Sequence, residues 1–383
     1  MSEEFLPFSR PYISQETIDD VVACLKSGWL TTGPRVAQFT DALKDYFNAP
    51  YVLPLSSATA GLHLALLAMD LQPGDEVITT PLTFVATLNT IVLAGGKPVL
   101  IDVDPNTFNM NLDLLEQAIT ERTRLILPVH FAGLPVHLDR LYEIAHQHGL
   151  RVLEDAAHAM GTAYKNQRIG SFGDTQVFSF HPNKNMTTGE GGCVVTRDQQ
   201  LAEQIARLRF HGIDRQAWNR YSKNGSQDYE VVLPGFKYNM MDLQAAIGIH
   251  QLKELDGFIA RRNDLAKRYQ EALSDWMQWQ LPKQPDYEHT HSWHIFTPLI
   301  NENIAHINRD EFMHAMKERN IGTGLHYRAA HLYPYYQQTF GFKRGDFPCA
   351  EDICDRIVTL PLFPAMTDAE HDRVLDVMYS IFH

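Results

Sequence analysis

The chain has 383 residues, 44% hydrophobic and 21% charged, a composition that excludes a disordered protein and allows a large core in more than one domain. Its formal charge of −13 argues against nucleic acid or an anionic membrane as partner, since both reward Lys and Arg, but a phosphorylated small molecule needs only a local cluster of donors. The start "MSEEFLPFSRP" has no signal-peptide pattern, no stretch reaches ~18 uninterrupted apolar residues, and Cys24, Cys193, Cys349 and Cys354 are scattered, so a reduced cytoplasmic chain without membrane insertion is expected.

The first helix is predicted from Ser14, a natural N-cap, to Gly28, with Ile18, Val21, Val22 and Leu25 on one face. From residue 50 the pattern becomes strand, turn, helix, repeated. Apolar runs fall at 51–55, 76–80, 98–102, 124–129, 151–155 and 175–180, with helical segments at 59–69, 85–94, 112–120 and 137–148. Runs rich in Val, Ile and Leu separated by helices predict an α/β fold with a mostly parallel sheet covered on both faces. Ligands of such folds gather at the carboxyl ends of the strands. Residues 242–273 read as one long helix or two. Beyond them, "WHIFTPLI" (strand), "RDEFMHAMKERN" (helix) and "IGTGLHY" (strand) predict a smaller α/β domain, giving a large domain 1–250 and a small domain 251–383.

Four strand ends carry unusual residues. "PLSSATAGLHLALLAM" (54–69) sets Ser56 to Thr59 at a helix N-terminus, where free N–H groups and hydroxyls suit a phosphate, although for this motif alone ordinary capping is the better explanation. "TPLTFVATLNTI" (80–91) puts Phe84 just past a strand, as a core residue or a ring for a flat cofactor to stack on. "RVLEDAAHAMG" (151–161) ends a strand in Asp155, a carboxylate that is costly there without a positive partner; His158 follows one turn later. "FSFHPNKNMTTGEGG" (178–192) carries Ser179 and Lys184 from a strand into a glycine-rich turn. A desolvated amine there sheds its proton more readily and attacks carbonyls. Each residue alone has a bland explanation; phosphate cradle, stacking ring, buried acid and lysine in that order are far more specific together. The histidines of "EHTHSWHIF" (288–296) invite a metal reading, but His294 is expected to point away from His289 and His291 on a plain strand, so no metal site is expected.

These motifs, with "SGWLTTGP" (27–34), "GFKYNMMDLQAAIG" (235–248), "GTGLHYRAAH" (322–331) and "LPLFPAMT" (360–367), closely resemble the DegT/StrS sugar aminotransferases over nearly the whole chain. The resemblance implies the aspartate-aminotransferase-like fold (PLP fold type I). It also implies pyridoxal 5'-phosphate as cofactor, in a Schiff base on Lys184, which would shuttle the proton. Asp155 would pair with the pyridine nitrogen, Phe84 would stack on the ring and His158 would lie near its phenolic oxygen. Backbone groups of Ala58 and Thr59 with the Ser179 hydroxyl would hold the phosphate. The implied partners are L-glutamate/2-oxoglutarate, a nucleotide ketosugar and a second copy of the chain, in a homodimer with shared active sites. Where the family has "G-x-N-x-R", this chain has "GFKYN", so Lys237 or Asn239 would reach the neighbouring phosphate, with Asn239 as the nominated contact. Thr31, Thr32, His326 and Arg328 are implied sugar-nucleotide contacts. "FLPFSRP" and "TGLHYRAAH" are most like the branch that aminates a UDP-4-ketopentose, while "HPNKNMTTGEGG" and Phe84, in place of Trp, depart from it. A UDP- or dTDP-4-keto-6-deoxyhexose, with or without N-acetyl, is the alternative acceptor. Relatives that dehydrate sugars replace the lysine, which is present here. A non-catalytic PLP-binding regulator would carry a DNA-binding segment, whereas the chain opens directly with the enzyme-like region.

Overall fold

A computed structural model of the chain describes residues 4–213 and 229–382. Seven strands form the central sheet: β1 (Tyr51–Leu55), β2 (Glu76–Thr79), β3 (Lys97–Leu100), β4 (Thr123–Ile126), β5 (Arg151–Asp155), β6 (Thr175–Ser179) and β7 (Gly192–Thr196). Their order across the sheet is β1-β7-β6-β5-β4-β2-β3, and β7 alone runs antiparallel to its neighbours β1 and β6. The predicted mostly parallel sheet is therefore observed. β7, "GCVVT", was absent from the predicted strands because its short apolar run follows directly on the glycine-rich turn.

Alternation along each strand splits the core in two. Ile78, Ile126, Val152 and Phe178 face one side, where α2 (Pro34–Phe47) contributes Phe39, Leu43 and Phe47. Val77, Leu125, Leu153 and Val177 face the other, against α3 (Ala58–Ala68). Both faces are covered, so the strands read as continuous apolar runs rather than alternating ones. The predicted helix at 112–120 is a single turn, Leu115–Ala118, because Asn111 and Asp113 hold the preceding chain in turns instead.

Residues 242–273 are one helix, Asp242–Leu273, whose first half contributes Ala245 and Ile249 to the sheet core. Its second half contributes Leu265, Ala266, Tyr269 and Leu273 to a separate core built with Phe296, Phe312 and Val374. Two strand expectations in this region are corrected. Of "WHIFTPLI" only Leu299–Ile300 is a strand, and "IGTGLHY" forms bridges rather than a strand, Leu6 to Ile321 and Gly324 to Thr359. The N-terminal segment supplies one of those partners, which residue order along the small domain did not disclose.

The helix Gln15–Ser27 (α1) begins at Ser14, whose Oγ accepts from Thr17 N, and stops at Gly28 with φ of 72°. Its predicted apolar face is not in the chain's own core: Ile18, Val22 and Leu25 are 45%, 40% and 52% exposed. No helix among the described residues is long and apolar enough to cross a membrane.

Candidate active site

A cavity of about 350 Å³ opens at the carboxyl ends of β1, β5 and β6. Its walls include Ala58, Thr59, Phe84, Asp155, His158, Ser179, Lys184 and His326, so eight of the expected site residues meet there. Strand geometry explains most of the convergence, since the ends of β1, β2, β5 and β6 deliver seven of them to one edge of the sheet, and His326 joins from the C-terminal region.

At one end, Ser57 caps α3 by accepting from Ala60 N at 3.0 Å. The N–H groups of Ala58 and Thr59 then begin the helix without intrahelical acceptors, and the helix dipole adds positive potential. Gly192 pairs with both Leu55 and Ser179. A Cβ there would lie 2.5 Å from Ala58 N and 2.6 Å from Phe178 O. The glycine is therefore required for β7 to pass close behind the helix start. Ser179, mostly buried, lines the same end. Phe84 precedes α4 (Val85–Leu93) and stands 57% exposed on the cavity wall.

Asp155 lies at the closed end. Its Oδ2 accepts from Thr87 Oγ1 at 2.8 Å and its Oδ1 from Ala157 N at 3.1 Å. Thr83 in turn donates to Thr87, at 2.8 Å. Burial pushes the Asp155 carboxyl above its ordinary value, against these donors and the nearby Lys184. Beneath it lies a second carboxylate, Glu154, that accepts from His130 Nε2, Tyr142 Oη and Gln176 Nε2. His130 Nδ1 accepts from Val136 N, so Nε2 carries the proton and donates to Glu154. None of this support was anticipated from the sequence; Glu154 was passed over as part of the strand.

Burial lowers the Lys184 amine to about 8, with Asp155 pulling the other way. Its Nζ lies 3.4 Å from His294 Nε2. The expectation of His294 on a plain strand pointing elsewhere is thus corrected. Only His289–Thr290 of that segment forms a strand; Trp293 then takes a left-handed φ of 43°, which turns His294 toward the lysine. The three histidines have separate environments: His289 bonds Gln284, His291 stacks on Trp293 with centroids 3.8 Å apart, and His294 meets Lys184.

His158 Nδ1 accepts from Ala132 N at 3.2 Å, which leaves the proton on Nε2 to donate to Tyr327 Oη at 2.8 Å. Tyr327, which sequence reasoning missed, lines the cavity with its ring centroid 6.0 Å from that of Phe84. His326 hydrogen-bonds Thr359 through Nδ1, and burial lowers it to about 3. His158 is likewise held neutral, mainly by burial.

The remaining expected residues lie outside the cavity of the single chain. Asn239 donates to Thr32 Oγ1 and accepts from Lys237, and Thr32 donates to Met240 O. Thr31 accepts from Asp242 N through its carbonyl. Arg328 donates to Leu332 O, covers the Tyr333 ring and faces a separate recess with Arg309 and Arg344.

The donor set fits a phosphorylated aldehyde with an aromatic nitrogen heterocycle: a helix start for the phosphate, an exposed ring for the heterocycle, a buried acid for its nitrogen and a lysine for its carbonyl. A family model described as the DegT/DnrJ/EryC1/StrS aminotransferase family matches residues 11–379. The spore coat polysaccharide biosynthesis protein SpsC of Bacillus subtilis is 47% identical over 378 residues, 98% of this chain and 97% of that protein. Among solved structures, a sugar aminotransferase of Streptococcus pneumoniae in its PLP form superimposes with a TM-score of 0.91 at 31% identity, covering 98% of each chain. PseC of Helicobacter pylori, an aminotransferase involved in the biosynthesis of pseudoaminic acid, gives 0.90 at 29%, covering 99% of each chain.

Proposed function

Because the chain belongs to the DegT/DnrJ/EryC1/StrS aminotransferase family, a family of pyridoxal-phosphate enzymes, we propose that it moves the amino group of L-glutamate to C4 of a nucleotide-linked 4-ketosugar. The observation that carries this reading is the meeting of Lys184, Asp155 and the start of α3 around one cavity. When bound, pyridoxal phosphate supplies an electron sink for charge developing on the amino donor. Lys184 would hold the cofactor through its amine and, when that amine is free, would take and return the proton at the donor Cα. Asp155 would hold positive charge at the ring nitrogen, Phe84 would stack on the ring, His158 would lie near the phenolic oxygen, and Ala58, Thr59 and Ser179 would bind the phosphate.

A UDP-4-ketopentose is the first candidate acceptor. A 4-keto-6-deoxyhexose, with or without N-acetyl, is the second, and one observation favours it: Phe84, His181 and Asn183, all within the departures from the pentose branch, line the cavity. Thr31, Thr32, His326 and Arg328 are assigned to the sugar nucleotide, Arg328 through the charge of the diphosphate. We assign the exposed face of α1 to a homodimer, in which Asn239 or Lys237 completes the partner's phosphate site.

The test is incubation of the purified protein with glutamate and a panel of UDP- and dTDP-4-ketosugars, reading amino-sugar by mass spectrometry. Amination of one of them is expected. Amination only of an unrelated ketone, or full activity in a Lys184→Ala variant, would overturn the reading.

A further inference from the structure

We infer that His294 is a positioning residue for Lys184: its Nε2 accepts a hydrogen bond from the lysine amine whenever that amine is free of cofactor, and so holds it at the cavity wall from which it works. The inference rests on the reading of Lys184 as the cofactor-bearing amine.

The contact itself is 3.4 Å, and the protein has committed unusual structure to it. Trp293 stands in the left-handed region at φ 43°, where a bulky side chain is strained. That conformation is held by the Trp293 N–H donating to His291 Nδ1 at 2.9 Å and by the stack of the two rings, 4° from parallel. His294 N–H donates to Ala132 O at 2.9 Å, and Ala132, itself at φ 57°, gives its N–H to His158. One left-handed residue thus sets both histidines, whose ring centroids lie 4.4 Å apart. From the other side, the buried Arg262 spends one guanidinium nitrogen on three carbonyls, those of Trp293, His294 and Leu362, at 3.0 to 3.2 Å. Three fixed supports on a two-residue turn are more than a core histidine needs.

The chemistry of the pair decides what His294 does. Burial, then Lys184, His158, Arg262 and His326, all disfavour a charge on its ring. The imidazole therefore stays neutral and the proton remains on the lysine, so His294 is an acceptor and not the terminal base. Its Nδ1 is buried without a partner among the described residues. With Nε2 accepting from Lys184, Nδ1 carries the ring proton. An amine that takes a proton from the donor Cα would become an ammonium, and His294 Nε2, 3.4 Å from Nζ, is placed to accept one of its N–H bonds.

The test compares the full-length protein with His294→Gln, whose Oε1 accepts from a similar direction, and His294→Leu, which fills similar volume without an acceptor. In protein freed of cofactor, the pH dependence of Lys184 labelling by an amine-reactive reagent is read by mass spectrometry of its peptide. The midpoint should fall by about one pH unit in the Leu variant, a roughly ten-fold change in the fraction of free amine, and return toward the wild-type value with Gln. In the loaded enzyme, the rate of the glutamate half-reaction should fall about 10-fold or more with Leu, with KM for glutamate unchanged, and recover mostly with Gln. Equal midpoints in all three proteins, or equal losses with Gln and Leu, would overturn the inference. If the cofactor attaches elsewhere than Lys184 in the unmodified protein, the reading of the site fails, while the labelling midpoints still report on His294.

Discussion

Replacing Thr87 with Val removes a single oxygen from a fully buried position and leaves the branched shape in place. That oxygen donates to Asp155 Oδ2 at 2.8 Å, one of two hydrogen bonds the carboxylate receives, the other coming from Ala157 N. A hydrogen bond to a charged group contributes about 1.5–3 kcal/mol, and 1.36 kcal/mol corresponds to one pKa unit, so its loss raises the Asp155 pKa by about 1–2 units. The direction adds to the rise that burial already imposes. On the proposed role, in which Asp155 supports the ring nitrogen only when ionised, the acid limb of the glutamate half-reaction should move up by about the same 1–2 units, with the plateau at higher pH within a few-fold of wild type. The assay is the pH profile of the cofactor's absorbance change on mixing with glutamate. An unmoved acid limb, or an equal loss of rate at every pH, would refute the assignment of the Thr87 hydroxyl to the charge state of Asp155.

In cofactor-free protein, Lys184 is lowered to about 8 while the unfolded chain keeps it near 10.5. The unfolded state therefore binds more protons between these values, so stability should rise with pH across that window. Thermal melts should show this rise, and a Lys184→Met variant should lack it. Gly192→Ala places a Cβ against Ala58 N and Phe178 O; overpacking of about 1–3 kcal/mol should lower Tm and weaken cofactor binding together, read by calorimetry and absorbance titration. Paired Ile18→Glu and Leu25→Glu substitutions on the exposed face of α1 should leave the monomer fold intact by circular dichroism and shift sedimentation to the single chain.

The sheet was legible because burial on both faces makes its strands near-continuous apolar runs, and the chain order of Thr59, Phe84, Asp155, Ser179 and Lys184 put them all at its carboxyl edge. What the sequence hid depends on departures from regular periodicity. His294 reaches the lysine because Trp293 breaks the strand, and a left-handed tryptophan leaves no mark in a hydrophobicity pattern. Thr87 falls inside the predicted helix and Thr83 just before it, and their hydroxyls gain meaning only where α4 meets Asp155. The stripe on α1 was legible as a shared face because Ile18, Val22 and Leu25 recur at helical spacing, but their period does not say what that face packs against.

The long helix Asp242–Leu273 puts Arg262 between the two cores, holding the turn that presents His294. The residues proposed to hold phosphate, ring and ring nitrogen lie before residue 193, whereas His294, His326 and Tyr327 come from beyond the long helix, Tyr327 packing against a further cluster that includes Phe131 and Ile353. A newly made chain can therefore assemble most of the cavity while its lysine still lacks neighbours on one side. Damage confined to the C-terminal core, by proteolysis or by a cavity-forming substitution at Phe312, would then appear first as a loosened cofactor in a chain whose sheet is still intact. Retention of cofactor during gradual denaturation becomes a reporter of whether the two cores are joined.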